Sequence, residues 1–486
     1  MKRITIDPIT RLEGHGKIEI FLKENGAVEN VYFQVPELRG FEKFCEGRPV
    51  EELAQIVTKI CGVCPGCHHM ASGKAADAVY GADPPPTAKK LRELFYMAHF
   101  VHSHIANFYA LAAPDFVVGP SAPKGERNIL GVIGKVGVEV GTEVIKQRRL
   151  AQEIQALLGG HQTHVVMNIP GGVRKGLSEE EREGVEEKAR GFIEFAKFSL
   201  KIFEDVVLDN KTYVDIILNG PYSLKIHSMG MVDDNNKVNF YDGKVRVVDV
   251  NGKEHCKYSP EQYTDFVAER VEPWSYLKFP YLKKIGWKGF VEGMDSGVYH
   301  ATPLSRLNAA DGMATPMAQK EYEKMYETLG GKPVHNTLAM HWARLVELLY
   351  ASERCLELAV DPEITGRELR ARLNKPSEGV GIVEAQRGTL THHYWTDERG
   401  IVTKVNLIVG TTNNNAAICM SLKKAAEGVI KKGVKVDDGI LNMVEMAFRA
   451  YDPCFSCATH SLPGEMPMIL NFRDPDGNII RSIKRD

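Results

Sequence analysis

Cys61-Gly62-Val63-Cys64 and Cys454-Phe455-Ser456-Cys457 are the two stretches in which this chain spaces its thiols for shared chemistry. Two thiolates at Cys-x-x-Cys spacing hold one soft metal ion from a single turn, and two such turns make a four-sulfur site. The first pair runs on through Cys67 to His68 and the second through Thr459 to His460, so each has a histidine a few residues beyond it. Other readings stay open at this level. A zinc ribbon separates its pairs by roughly 15 to 20 residues, whereas almost the whole chain intervenes here. An iron-sulfur motif beginning at Cys61, Cys64 and Cys67 needs a fourth cysteine nearby, and none follows. A dithiol redox motif accounts for one pair and leaves the other idle. A soft-metal site that draws sulfur from both ends of the chain accounts for both.

The elements that must bring those ends together follow from periodicity and turn signals. Lys17 to Leu22 and Val28 to Val35 flank Asn25-Gly26 as a hairpin. Leu53, Ile56, Val57 and Ile60 recur at helical spacing and lead into Cys61. After the break at Pro84-Pro85-Pro86, the apolar positions Leu91 to Phe108 predict one long buried helix over 88–112 that carries His99, His102 and His104; these are more often core histidines than ligands. A second helix is predicted over 127–158, where Gly131, Gly134, Gly137 and Gly141 suggest close helix contact. Ser178-Glu179-Glu180-Glu181 has the form of a capping box that opens a helix to about residue 205. Residues 212–300 read as a β-rich excursion. Helices follow at about 303–329 and 335–360, strands at Val380 to Glu384 and Val402 to Val409, and helices near 415–430 and 437–450, the last of which delivers Cys454. The expected fold is α+β and predominantly helical: a central bundle of long helices with small peripheral sheets.

Length and composition bound the rest. The 486 residues suffice for an extensive core, and 43% hydrophobic with 26% charged residues is the balance of an ordinary soluble globular protein. A net charge of -2 gives no reason to expect nucleic acid or an anionic membrane as partner. No apolar run approaches the roughly 20 residues of a membrane span, and the N-terminus lacks the apolar centre of a signal peptide. Nine cysteines, clustered rather than spread as a disulfide framework, suit a reducing compartment, so a cytoplasmic protein is expected.

Taken together, Arg11-Leu12-Glu13-Gly14-His15, Arg39-Gly40-Phe41-Glu42, Cys61-Gly62-Val63-Cys64 with His68, Pro170-Gly171-Gly172, Glu384-Ala385-Gln386-Arg387-Gly388 and Asp452-Pro453-Cys454 with Cys457 and His460 resemble the large subunit of nickel-iron hydrogenases along nearly the whole chain. The cytoplasmic, non-deazaflavin-reducing type associated with heterodisulfide reductase looks nearest. The resemblance implies one catalytic domain over 1–486: an N-terminal hairpin and helix (1–60), the first ligand turn and helical bundle (61–211), the β-rich excursion (212–300), the second ligand turn with its helices and strands (301–460) and a cleavable extension (461–486). It implies reversible heterolytic cleavage of dihydrogen at a nickel ion held by four thiolates, with Cys61 and Cys454 terminal and Cys64 and Cys457 bridging to an iron that carries cyanide and carbon monoxide. Dihydrogen has neither charge nor dipole for a side chain to grip, so a metal must polarise it. By the same resemblance Cys454 accepts the first proton and Glu13 the next, Arg387 stands over the open face paired with Asp452, and Thr411 donates to the second cyanide. Glu42, His460 and the main-chain carbonyl of about Leu407 resemble the ligands of a second, hard ion, usually magnesium, which suits oxygen donors.

The chain departs from the family pattern at Ser103, where many members have an acid between two histidines, at Gln386 in place of a common proline, and at Cys67, an additional thiol. Cys45, Cys67, Cys256, Cys355 and Cys419 form no cluster-binding set by spacing, so an electron wire is expected in another subunit, and the resemblance implies that this is an iron-sulfur small subunit with further electron-transfer subunits beyond it. Family precursors are cut after the final histidine once nickel is in place, which implies nickel-insertion factors and a maturation endopeptidase acting on 461–486. Two other readings are a non-catalytic relative of a respiratory complex I subunit, which lacks the four cysteines, and a zinc-stapled interaction protein.

Overall fold

Helix Pro86–Ala106 is the axis of the bundle. Pro86 occupies its first turn, where a missing N–H costs nothing, and Leu91, Leu94, Ala98, Val101 and Ile105 are all fully buried along it. It packs on Val138–Gly159 and on Met340–Val360, and the latter packs on Glu179–Phe203. The computed structural model describes residues 2–35, 37, 39–272, 274–459, 468–474 and 478–485.

The expected capping box is present: Glu181 N donates to Ser178 Oγ at 3.2 Å and Ser178 N donates to Glu181 Oε2 at 3.0 Å. The helix expected over 88–112 stays α-helical to Ala106 and widens into a π turn over Asn107–Ala112. The helix expected over 127–158 is two, Ile129–Val136 and Val138–Gly159, parted at Gly137 with φ of +96°. Two of its glycines serve close contact, since a Cβ on Gly141 would stand 3.0 Å from Ile133 of the preceding helix and one on Gly131 would stand 1.9 Å from Glu126 O, whereas a Cβ on Gly134 or Gly137 would meet nothing within 4 Å. Gly137 serves the break, since Gly takes positive φ at no steric cost.

Small sheets surround the bundle. Lys2–Ile6, Lys17–Leu22 and Val28–Gln34 form an antiparallel sheet in sequence order. The β-rich excursion opens with helix Lys211–Asn219 and then builds a four-stranded sheet in the order Tyr299–His300, His227–Val232, Lys244–Val248, Glu254–Tyr258, and a separate pair, Val267–Val271 with Lys278–Leu282. The two strands expected after residue 378 gain a third between them: Glu378–Ala385, Gly388–Thr396 and Val402–Ile408 form one antiparallel sheet, joined tightly through Gln386 and Arg387. The middle strand carries His392 and His393, whose polarity hides it from a hydrophobic pattern.

That sheet lies directly against helix Pro65–Val79. A Cβ on Gly381 would stand 2.1 Å from Ala71 O, so the strand comes as near the helix as only glycine permits. The approach seats the first cysteine turn beside the Arg387 turn. The C-terminal strands Met468–Arg473 and Ile479–Arg485 pair with each other, and the expected turn at Asp476-Gly477 lies outside the described residues. Among the described residues no helix is long and apolar enough to cross a membrane.

Candidate metal centre

The two cysteine turns are built alike. Val50–Ile56 and the 3-10 turn Val57–Ile60 bring the chain to Cys61, and Cys64 then caps helix Pro65–Val79. At the other end helix Asp438–Arg449 leads to Asp452, whose φ of +51° turns the backbone, and Cys454 caps the short helix Phe455–Ala458. Asp tolerates that left-handed region better than most residues.

The turns meet. Cys61 Sγ lies 3.2 Å from Cys454 Sγ, Cys64 Sγ 3.3 Å from Cys457 Sγ, and Cys454 Sγ 3.0 Å from Cys457 Sγ. All four sulfurs fall within 4.8 Å of one another, and all four residues are buried. Burial pushes the Cys454 and Cys457 thiols well up, whereas hydrogen bonds from Cys454, Cys457 and Cys64 pull Cys61 well down. Four convergent buried sulfurs are a poor place for uncompensated charge. They are a fitting donor set for one soft or borderline cation.

Glu13 reaches this group from the N-terminal segment. Its Oε2 accepts from Cys454 Sγ at 2.9 Å and from Ser456 N at 3.1 Å, and its own carbonyl accepts from Phe455 N at 3.1 Å. Gly14 allows the contact: its φ is +84°, and a Cβ there would stand 3.0 Å from Phe455 Cβ and 3.1 Å from Ser456 N.

Arg387 covers the opposite side. Its Nη2 lies 2.9 Å from Asp452 Oδ2, its Nη1 donates to Ser103 Oγ at 3.4 Å, and its Nε is buried with no partner among the described residues. Burial opposes its charge, yet Asp452 and the thiols of Cys64, Cys454 and Cys61 hold it above its usual range. A small cavity lies between Arg387, Thr411, Leu390, Val409 and the sulfurs of Cys64 and Cys457. Thr411 Oγ1 accepts from Cys454 N at 3.1 Å, which leaves its hydroxyl hydrogen to give.

By sequence His68 has no role beyond its place in the motif. In the structure His68 Nε2 is 3.4 Å from Cys457 Sγ and its Nδ1 is 3.2 Å from His392 Nε2. His392 Nδ1 meets Tyr394 OH at 2.6 Å, and Tyr394 OH donates to Ser72 Oγ at 2.9 Å. The chain of contacts fixes the imidazole that faces the sulfur. Alternate residues of one strand, His392 and Tyr394, were its only sequence signal. Cys67 Sγ donates to Gln386 Oε1 at 2.9 Å, which ties the extra thiol to the Arg387 turn.

The three histidines on helix Pro86–Ala106 stay out of the cysteine group. His99 meets Gln155 Oε1 at 3.0 Å, His104 meets Glu347 Oε2 at 3.0 Å and His102 lies 3.5 Å from Arg148 Nη2. They are hydrogen-bonded core histidines, the commoner case. Elsewhere Glu42 and Leu407 come together: Glu42 Oε1 accepts from Leu407 N at 2.9 Å, with Lys278 Nζ 3.6 Å away. His460, the third residue expected there, lies outside the described residues.

Comparison with known proteins agrees with this geometry. The sequence profile described as nickel-dependent hydrogenase matches residues 39–128 and 138–460, and one described as HoxL-like matches residues 3–38. The chain is 49% identical over 485 residues to an F420-non-reducing hydrogenase iron-sulfur subunit of Archaeoglobus profundus, covering 100% of both chains. It is 40% identical to an F420-non-reducing hydrogenase subunit of Methanothermobacter thermautotrophicus, with 99% of this chain and 100% of that one covered. Among solved structures, an NAD+-reducing [NiFe]-hydrogenase in the H2-reduced state superposes with a TM-score of 0.89 at 36% identity, covering 95% of this chain and 100% of the other.

Proposed function

This chain belongs to the nickel-dependent hydrogenase family and is the catalytic large subunit of a nickel-iron hydrogenase, an enzyme acting on dihydrogen; from that premise we propose how its own residues divide the work. Cys61 and Cys454 would hold nickel as terminal thiolates, and Cys64 and Cys457 would be ligands shared by nickel and iron. The observation that carries this is the meeting of four buried sulfurs from opposite ends of the chain. When bound, the bimetallic centre supplies heterolytic cleavage of dihydrogen and an outlet for its electrons.

The side chains manage the proton. Cys454 Sγ holds it first and passes it to Glu13 Oε2, which is already within hydrogen-bond distance at 2.9 Å. The Ser456 N–H on the same oxygen keeps that carboxylate turned toward the sulfur. Arg387, clamped by Asp452, stands above the cavity; its unpartnered Nε and the free hydroxyl hydrogen of Thr411 are donors suited to cyanide nitrogens on iron. Leu390 and Val409 complete a wall suited to carbon monoxide, which needs no donor.

Glu42 and the carbonyl of Leu407, with His460, hold magnesium or another hard divalent ion; the carboxylate already lies against the Leu407 backbone. Cys45, Cys67, Cys256, Cys355 and Cys419 form no cluster-binding set by spacing, which supports electron exit into an iron-sulfur small subunit. Further electron-transfer subunits lie beyond it, in a cytoplasmic assembly of the heterodisulfide reductase-associated type. Nickel-insertion factors load the site, and a maturation endopeptidase then removes 461–486.

Infrared spectroscopy of the purified protein, with metal analysis, tests the centre. Cyanide and carbon monoxide bands accompanied by nickel and iron are expected. Zinc alone, with no such bands, overturns the assignment.

A further inference from the structure

His227 opens the strand His227–Val232, is 1% exposed, and has both ring nitrogens buried without a partner among the described residues. A neutral imidazole carries one donor and one acceptor, and burying both unmet is costly enough that such a ring in a native core needs an explanation. The neighbour it faces is His255, with ring centroids 5.2 Å apart and planes at 73°.

His255 belongs to Glu254–Tyr258, two strands away in the same sheet. It reaches His227 through a β-bulge: Val247 pairs with Cys256 but Val248 pairs with Glu254, which leaves His255 as the extra residue. Bulges re-aim a side chain out of the regular alternation and are enriched at sites. His255 is half-buried, so the pair has a path to solvent. Asp249, at the end of the intervening strand, offers its Oδ1 to the turn amides of Asn251 and Lys253 at 2.8 and 3.0 Å. Its charge raises both imidazoles against the burial that lowers them, so a carboxylate stands near both rings; Lys284 opposes it at His255.

We infer that His227 and His255 form a two-imidazole site for zinc, a borderline divalent ion, separate from the thiolate centre, with Asp249 supplying negative charge and water completing the coordination. The spacing agrees with this ligand set. Metal–nitrogen bonds of about 2.1 Å put each ring centroid roughly 3.2 Å from a shared ion, and a tetrahedral angle then separates the centroids by about 5.2 Å.

The test uses the purified hydrogenase complex, dialysed against a chelator and titrated with zinc alone. One zinc per chain is expected, with nitrogen and oxygen but no sulfur neighbours in its X-ray absorption spectrum. Because His255 is half-buried, His255→Gln is the first variant: zinc affinity is expected to fall at least tenfold, with nickel content and hydrogen turnover unchanged. His227→Gln is expected to do the same, with an unchanged melting temperature as the check on folding. Equal zinc binding by wild type and His255→Gln, zinc ligated by sulfur, or no zinc above background would each overturn the inference. Nickel content is read separately, so failure here and failure of the thiolate assignment are told apart.

Discussion

Glu13 Oε2 and Cys454 Sγ lie 2.9 Å apart although 441 residues separate them in the chain, and a parallel backbone bridge joins the same two residues. The side-chain contact is thus fixed by main chain on both sides. A proton leaving the sulfur meets an acceptor oxygen that a second hydrogen bond, from Ser456 N at 3.1 Å, holds in place.

Glu13→Gln keeps the shape of that contact but removes the basic oxygen. Steady-state hydrogen oxidation is expected to fall by about 10²- to 10⁴-fold, the usual worth of a positioned proton carrier. Nickel content and infrared bands are expected to stay as in wild type. A variant that retains full turnover would remove Glu13 from the relay.

Asp452→Asn leaves the Arg387 guanidinium buried without its carboxylate, since the two residues are 5% and 3% exposed. Breaking a buried pair from one side costs about 3–5 kcal/mol. Urea denaturation of the variant should show a loss of that size, together with reduced turnover.

Gly388→Ala probes the backbone that aims the same arginine. Gly388 has φ of +143°, and an added Cβ would stand 2.3 Å from Gly410 O and 2.6 Å from Ala301 O, both rigid main chain. Strain and overpacking together predict a loss on the order of 2–5 kcal/mol. The same substitution at Gly134, which faces open space, should be neutral or slightly stabilising, because Ala is the better helix former.

His69 predicts an acid limit to stability. Its Nδ1 donates to Ala54 O at 2.8 Å while its Nε2 accepts from Met167 N at 3.1 Å and Asn168 N at 2.8 Å, so the native state holds it neutral. Burial lowers it from 6.5 to about 4. The folded value lies below the unfolded one, so its contribution is complete above pH 6.5 and is lost as pH falls towards 4. At about 1.36 kcal/mol per pH unit the loss amounts to roughly 3 kcal/mol. Denaturation midpoints measured between pH 7 and pH 4 should fall less steeply in His69→Gln than in wild type.

Local features were legible because they are written in neighbouring residues. The Ser178 to Glu181 box, the Asn25-Gly26 hairpin and the helix behind Leu91, Leu94 and Ala98 each follow from spacing within a few positions. Where neighbouring residues misled, a competing local rule explains it: Gly137 broke a helix that its apolar pattern favoured, and His392 and His393 disguised a central strand.

By itself the sequence determined which sulfurs are paired along the chain, which helices and hairpins form, and which residues stand ready at their ends, because helix period, strand alternation and turn chemistry act over a few residues. Tertiary structure alone decided that Cys61 meets Cys454 across 393 residues, that Thr411 receives the Cys454 amide, that His68 is fixed through His392, Tyr394 and Ser72, and that a bulge turns His255 onto His227. Local spacing marked the two cysteine pairs as partners but not which atoms meet, and it left no mark of the other contacts. They arise when distant apolar faces are buried together, and the close approach of Gly381 to Ala71 and of Gly14 to Phe455 shows how narrowly that packing sets the distances the chemistry needs.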